Sequence, residues 1–512
     1  MAWKSYKSIS SLVDEKTIKD NIVLTQKIEI ESIILSFIYR IKLIMERFLF
    51  ILGSNWQLSL AELDNYLKYS KYKGRIIDYS ANIAIVEFKD LHQDPHYINK
   101  LMEIQFNLGG CQKISKIFDF IDINTIQEAF PIQMYKFKHV ERIRKKIIDI
   151  INNIIIGKNG IFPKVYESMF FAVSIYPNLY DDKYYTDVLV KHFLPFLNKE
   201  IMEILKQKGA EKALYYQYPE ENIKSGNLNP IFPHHLIKYD LLNENRAEII
   251  FGFTENGTYL ARTFTTDDPN FKKEIDEGKP HKEFKSSISP KLTLTLLNFL
   301  NIFENRENKK ILDPFVGNGT IALFALLQDF QIYGSDNDFV KVNNTIRNIH
   351  WLLELLGEEI PPLTNQRILN QDVRTMSNKF EAFFFDGICT EPELGPFYTE
   401  KPYYTQARNL IETELTPLYE DFFKEAYKIL KPNARICFIS PIISTVDGND
   451  IQVNIEKISN KHNFRIVPML DLNRIDNKAN PKLKFRKQQV RTLIDAKKGQ
   501  IVKRKIYVLE KK

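Results

Sequence analysis

Cysteine is scarce in this 512-residue chain: Cys111, Cys389 and Cys437 are far apart and share no metal or disulfide spacing. That scarcity excludes a disulfide scaffold and fits a reducing cytoplasm, with all three thiols expected as small buried hydrophobes. Nine histidines show no ligand spacing either, His234-His235 reads as a surface pair, and no metal is implied. The apolar stretch at 33–39 is broken by Arg40, Lys42, Glu46 and Arg47, well short of the roughly 20 residues that span a bilayer. No small-residue cleavage site follows it, against a signal peptide. No internal repeat or low-complexity tract breaks the chain. What remains is ordinary for a globular protein, 44% hydrophobic and 26% charged. This length exceeds one core and implies two or three domains.

The most informative stretch is 311–336. Apolar Lys310-Ile311-Leu312 gives way to Asp313-Pro314-Phe315-Val316-Gly317-Asn318-Gly319-Thr320, then to a run with helical length and composition through Leu327. A second short strand, Gln331-Ile332-Tyr333-Gly334-Ser335, closes on Asp336. Strand, glycine turn, helix and strand with a terminal acid form a ligand-binding unit. The glycines let the backbone approach the ligand, and the carboxylate accepts from ribose hydroxyls. No Gly-Lys-Ser/Thr follows, which excludes a P-loop. Gly317-x-Gly319-x-x-Ala322 also meets a loose dinucleotide fingerprint, but Asp313 at the strand end would repel phosphates. It suits a ligand with a cationic amino-acid tail and no phosphate, namely S-adenosylmethionine.

Asp313-Pro314-Phe315-x-Gly317-x-Gly319-Thr320 resembles the first motif of Rossmann-like RNA methyltransferases of the tRNA guanosine-10 N2-methyltransferase type. The resemblance extends over residues 45–512. Phe50-Ile51-Leu52-Gly53, the helical Leu58–Leu67 run and Leu108-Gly109-Gly110-Cys111-Gln112-Lys113-Ile114 are similar to that group's amino-terminal region. Ala172-Val173-Ser174-Ile175-Tyr176 falls where the family carries a THUMP domain, which binds the acceptor-stem end of tRNA. The expected fold is thus α/β: a doubly wound Rossmann-like methyltransferase domain preceded by α+β ferredoxin-like and THUMP-like RNA-binding units. The expected divisions are 1–44 as an extension of unknown role, 45–125 as an α+β domain, 126–250 as the THUMP-like unit, and 251–512 as the methyltransferase domain. A basic cluster at Lys136, Lys138, Arg142, Arg144, Lys145 and Lys146 is either a solvated helix face or a phosphate-contacting surface.

By that resemblance, Asp313, Pro314, Phe315, Gly317, Gly319 and Asp336 hold the donor. Ser289, Pro290 and Lys291, opening a helix just upstream, either help to wall its site or make a well-capped helix start and nothing more. Asp372, at the end of the strand 367–372, either meets the adenine or caps a helix. Base-amine methyltransferases end the fourth strand with an acid or amide, two prolines and an aromatic. These residues align the target amine and stack on the flipped base. Here the residues are Thr390-Glu391-Pro392-Glu393-Leu394-Gly395. Glu391 and Pro392 take the acceptor role, Glu393 replaces a proline, and Leu394 replaces the aromatic. The stack then falls to Phe397, Tyr398 or Tyr403, or is lost, and a second carboxylate would suit guanine's two donor groups.

Residues 474–512 carry 14 Lys+Arg against 3 Asp+Glu, a net +11, whereas the whole chain is +7. Charge concentrated at one end points to a polyanion, and Gln500-Ile501-Val502 with Lys505–Leu509 read as closing strands. The expectation is a cytoplasmic S-adenosylmethionine-dependent RNA methyltransferase acting on a guanosine N2 amine in tRNA, without membrane association. Dependence on a small activating subunit stays open. So do three competitors: a DNA amino-methyltransferase, a non-catalytic RNA-binding protein retaining the fold, and a dinucleotide oxidoreductase.

Overall fold

The structure, a computed structural model, describes residues 46–512 except 89–90, 92–95, 133–136, 180–181, 283–286, 360–363, 472–474, 476–482 and 484–488. The extension at 1–44 and Lys136 lie outside the described residues, as does much of the basic 474–488 stretch.

Two large sheets organise the chain. The first contains β1 (Glu46–Leu52), β2 (Gly74–Tyr79), β3 (Ile83–Phe88), β4 (Cys111–Asp122), β5 (Ser168–Tyr176), β6 (Lys212–Tyr215), β7 (Arg246–Phe253) and β8 (Gly257–Thr266). Their order is β2-β3-β1-β4-β8-β7-β5-β6, all antiparallel except the parallel β5–β6 and β5–β7 pairs. Phe48 through Leu52 are all buried, so the β1 run is continuous rather than alternating. The helix Trp56–Tyr69 that follows is capped by Asn55, whose side chain accepts from the Leu58 N–H.

This sheet runs unbroken through the 125/126 division. Strand β8, assigned from sequence to the carboxy-terminal part, pairs with both β4 and β7. Its residues are buried almost throughout, so no alternation marks which sheet it joins. The helix Phe137–Ile155 buries Ile143, Ile147, Ile151 and Ile155 on one face. Arg142, Lys145 and Lys146 remain exposed on the other.

The second sheet contains β9 (Lys310–Asp313), β10 (Gln331–Asp336), β11 (Ile368–Asn370), β12 (Phe385–Thr390), β13 (Leu430–Ser444), β14 (Asp450–Gln452), β15 (Phe464–Ile466), β18 (Thr492–Asp495) and β19 (Val502–Lys511); β16 (Leu470–Asp471) and β17 (Gln489–Val490) pair separately. Its path is β11-β10-β9-β12-β13-β19-β15, parallel through β13, with β19 antiparallel to both neighbours. The chain steps outward from β9 to β11, then resumes on the other side of β9 with β12. That reversal opens a crevice at the carboxyl ends of β9 and β12, where ligands bind in doubly wound sheets. The doubly wound expectation therefore holds. The two closing strands read at 500–502 and 505–509 are one long strand, β19, and strand 381–389 begins only at Phe385, after Phe383 takes φ +59°.

The two sheets meet through a buried joint. Glu62, fully buried, accepts from the N–H groups of Gly109 (2.9 Å) and Gly110 (2.7 Å) and from the Asn298 amide (2.7 Å). A Cβ on Gly109 would sit 2.1 Å from the Lys291 carbonyl, so only glycine admits the helix Pro290–Asn298 at this spacing. The Leu-Gly-Gly motif is thus a packing contact between the halves. One apolar core joins Phe48, Leu58 and Ile114 to Leu292, Ile311 and Ile506, whereas residues 121–260 have a core of their own. Among the described residues no helix is long and apolar enough to cross a membrane.

Candidate active site

Strand β9 delivers Asp313 to the crevice, where it is 1% exposed. The Thr390 hydroxyl at the end of β12 donates to its Oδ1 at 2.7 Å, and the Phe315 N–H donates at 3.2 Å. Burial pushes the Asp313 carboxyl up to about 7, with Asp336 and Glu391 adding repulsion and the two donors opposing it. The turn that follows needs glycine. Gly317 has φ +52° and Gly319 φ +86°, a region that costs other residues. A Cβ on Gly319 would meet Thr345 at 2.9 Å, while one on Gly317 would find only the Phe315 carbonyl oxygen, at 4.0 Å. The Gly317 N–H donates to Asp336 Oδ2 at 3.0 Å, and the Asp338 N–H donates to Oδ1 at 3.0 Å. The second-strand acid is thereby locked to the first-strand turn.

A cavity of about 510 Å³ lies over the crevice. Asp313, Pro314, Phe315, Gly317, Asp336, Asp372, Glu391 and Pro392 all line it, with Leu394, Phe397, Tyr398 and Arg504. Gly319, Ser289, Pro290 and Lys291, also expected at the donor, do not. Gly319 turns the chain into the helix Thr320–Leu326 and packs on Thr345. The Ser289 hydroxyl is occupied in capping its helix, accepting from the Leu292 N–H at 3.3 Å. The Lys291 ammonium lies 3.6 Å from Asp267, just past β8. Ser287 and Ile288, immediately before that helix, form the wall instead. Asp372 has both expected roles open to it: it caps the 3₁₀ turn Val373–Asn378, pairs with Arg374 at 3.0 Å, and still faces the cavity.

Glu391 leaves β12 and is met by Arg504 of β19, with Nε donating to Oε1 at 2.5 Å and Nη2 to Oε2 at 3.4 Å. Burial raises the Glu391 carboxyl above its ordinary range against the pull of Arg504, and Asp495 adds to the rise. Glu393 turns its carboxylate onto its own loop, accepting from the Gly395 N–H at 3.1 Å. Of the aromatics considered for stacking, Phe397 and Tyr398 reach the cavity, and Tyr403 does not line it. Arg504 is the residue that sequence reasoning missed. It sits between Lys503 and Lys505 in a basic run, 113 positions from Glu391, and nothing local marks it out. Among the described residues, no group of three or more His, Cys, Asp or Glu is placed to hold a metal.

A glycine turn after the first strand, an acid closing the second and a cavity over the switch point define a Rossmann-like ligand-binding protein. Comparison with known proteins agrees with the resemblance seen in the motif. No family model matches the chain. It is similar to a curated tRNA (guanine(10)-N2)-dimethyltransferase of Methanothermobacter thermautotrophicus, 27% identical over 173 residues, 33% of this chain. The match spans 44% of that relative's length, less than half. Among solved structures, TrmN from Thermus thermophilus aligns over 91% of this chain and 100% of its own at 13% identity and TM-score 0.47. A structure described as a predicted N6-adenine-specific DNA methylase from Listeria monocytogenes aligns over 83% and 93% at 8% identity and TM-score 0.41.

Proposed function

We propose that this chain is an S-adenosylmethionine-dependent RNA methyltransferase acting on a guanosine N2 amine in tRNA. The observation that carries the reading is one continuous cavity reaching from the Gly317 turn and Asp336 to the Glu391–Tyr398 loop. The named activity of the curated relative supports the same target.

The residues fit the donor. The place a Cβ at Gly317 would fill borders the cavity, leaving room for a ligand against the backbone. Asp336 offers carboxylate lone pairs beside that turn, and Asp313 offers a carboxyl to a cationic tail. Ionising Asp313 costs burial energy that such a cation returns. The donor, when bound, supplies a sulfonium-activated methyl group. In this reading Glu391 accepts hydrogen bonds from the target amine and takes the proton that nitrogen loses once alkylated. Pro392 stiffens the loop that holds the amine in line, where a misplacement of about 1 Å can cost on the order of 10²-fold in rate. Phe397 and Tyr398 offer stacking surfaces in place of Leu394. The exposed basic face of Phe137–Ile155 provides charge for the RNA backbone.

A second reading has one observation in its favour. Leu394 in the aromatic position, with Glu391 held by Arg504, suits a non-catalytic RNA-binding protein that keeps the fold. Transfer of radiolabelled methyl from S-adenosylmethionine to bulk unmodified tRNA, followed by nucleoside analysis, separates the two. Labelled N2-methylguanosine is the expected product. Clear donor binding with no label in any nucleoside would establish the second reading instead.

A further inference from the structure

The acceptor loop departs from the usual motif at Glu391, and the structure shows what that longer side chain reaches. Glu391 follows the end of β12, and its carboxylate extends past β13 to the guanidinium of Arg504 on β19, at 2.5 and 3.4 Å. Asp495 of β18 lies opposite Arg504 in register, adding a second acid beside the arginine. Both members of the Glu391–Arg504 pair line the cavity, together with Leu394, Phe397 and Tyr398. An acceptor carboxylate and the guanidinium that donates to it therefore stand side by side on the cavity wall.

Only one nucleobase edge matches that order. The Watson–Crick edge of guanine presents two donors, N1–H and the N2 amine, followed by the O6 acceptor. Adenine and cytosine instead present a ring-nitrogen acceptor where guanine has N1–H, and would set it against the carboxylate. In duplexes arginine reads guanine through O6 and N7 together; beside the Watson–Crick edge its always-charged guanidinium can donate to O6 alone. We propose that Glu391 and Arg504 read the target guanine as a unit, Glu391 at N1–H and the N2 amine and Arg504 at O6. Arg504 is thus a specificity-determining residue. The inference rests on the methyltransferase reading of this cavity.

The test uses the full chain and unmodified tRNA transcripts carrying either guanosine or 6-thioguanosine at the methylated position. The sulfur analogue keeps N1–H and the N2 amine but exchanges the O6 acceptor for a weak one. The wild type is expected to methylate guanosine about 10- to 100-fold faster than 6-thioguanosine, the range set by one hydrogen bond from a charged donor. Arg504→Ala is expected to bring that ratio close to one, through loss of rate on guanosine alone. Loss of fold or of positioning would slow both substrates equally and leave the ratio unmoved. Should Arg504→Ala fail to fold, Arg504→Lys carries the same comparison: it keeps a charge beside Glu391 but loses the fork, and the ratio should fall several-fold. A wild-type enzyme that methylates guanosine while either folded variant retains the full ratio overturns the role of Arg504. A wild type that binds donor and transfers no methyl overturns the underlying reading, and this inference with it.

Discussion

Each sheet holds an ion pair withdrawn from solvent, and the two pairs are built differently. In the first sheet Lys113 of β4 and Glu248 of β7 meet at 2.7 Å with both side chains 0% exposed. Lys113 also donates to the Tyr176 hydroxyl and the Ile231 carbonyl. Glu248 accepts from Ser174 on one oxygen and from Thr263 on the other. The pair bridges β4 and β7 across β8, and its partners come from four other residues of the surrounding structure. In the second sheet Arg504 and Glu391 are 17% and 12% exposed and form part of a cavity wall. An enclosed, fully partnered pair specifies which strands lie together, whereas a pair left on a cavity wall presents its charge to a ligand.

Mutations can break this contrast. The largest expected effect is on stability: Lys113→Met leaves the buried Glu248 carboxyl without its cation, and should cost about 3–5 kcal/mol. Denaturant unfolding would show it, with donor affinity of the folded fraction unchanged. Glu391→Gln should do the opposite, lowering methyl transfer about 10²-fold, or roughly 2.7 kcal/mol of activation. Its melting temperature and donor binding should stay close to wild type. Gly319→Ala forces a side chain into φ +86° and against Thr345. A loss of about 1–3 kcal/mol is expected, together with weaker donor binding by calorimetry.

Asp313 sharpens the comparison through pH. Its carboxyl, raised to about 7 from an ordinary 3.8, keeps a proton in the folded state that the unfolded chain has already released. Its contribution to stability therefore falls as pH rises between those values, by at most about 1.4 kcal/mol per pH unit. Asp313→Asn should flatten that slope in urea titrations, and donor affinity in the wild type should rise as pH passes through about 7. The smallest effect belongs to the exposed Phe137–Ile155 face. Lys145→Glu should leave folding and donor binding intact while weakening tRNA binding, with the salt dependence shallower by about one unit.

Sequence alone determined the parts governed by neighbours along the chain. The glycine turn at 317–319, the acid closing β10 and the alternation of strands with helices were all legible. Each depends on local turn chemistry and periodicity, and the cavity wall from Asp313 to Asp336 came with them. Tertiary structure decided the rest. It assigned β8 to the first sheet, turned Lys291 toward Asp267, occupied Ser289 as a cap, and made Leu108-Gly109-Gly110 a joint against a helix some 180 residues later. Above all it placed Arg504 against Glu391. A lysine- and arginine-rich strand reads the same whether its arginine faces water or a carboxylate. That choice belongs to strand order, because only the position of β19 beside β13 brings the two side chains within reach.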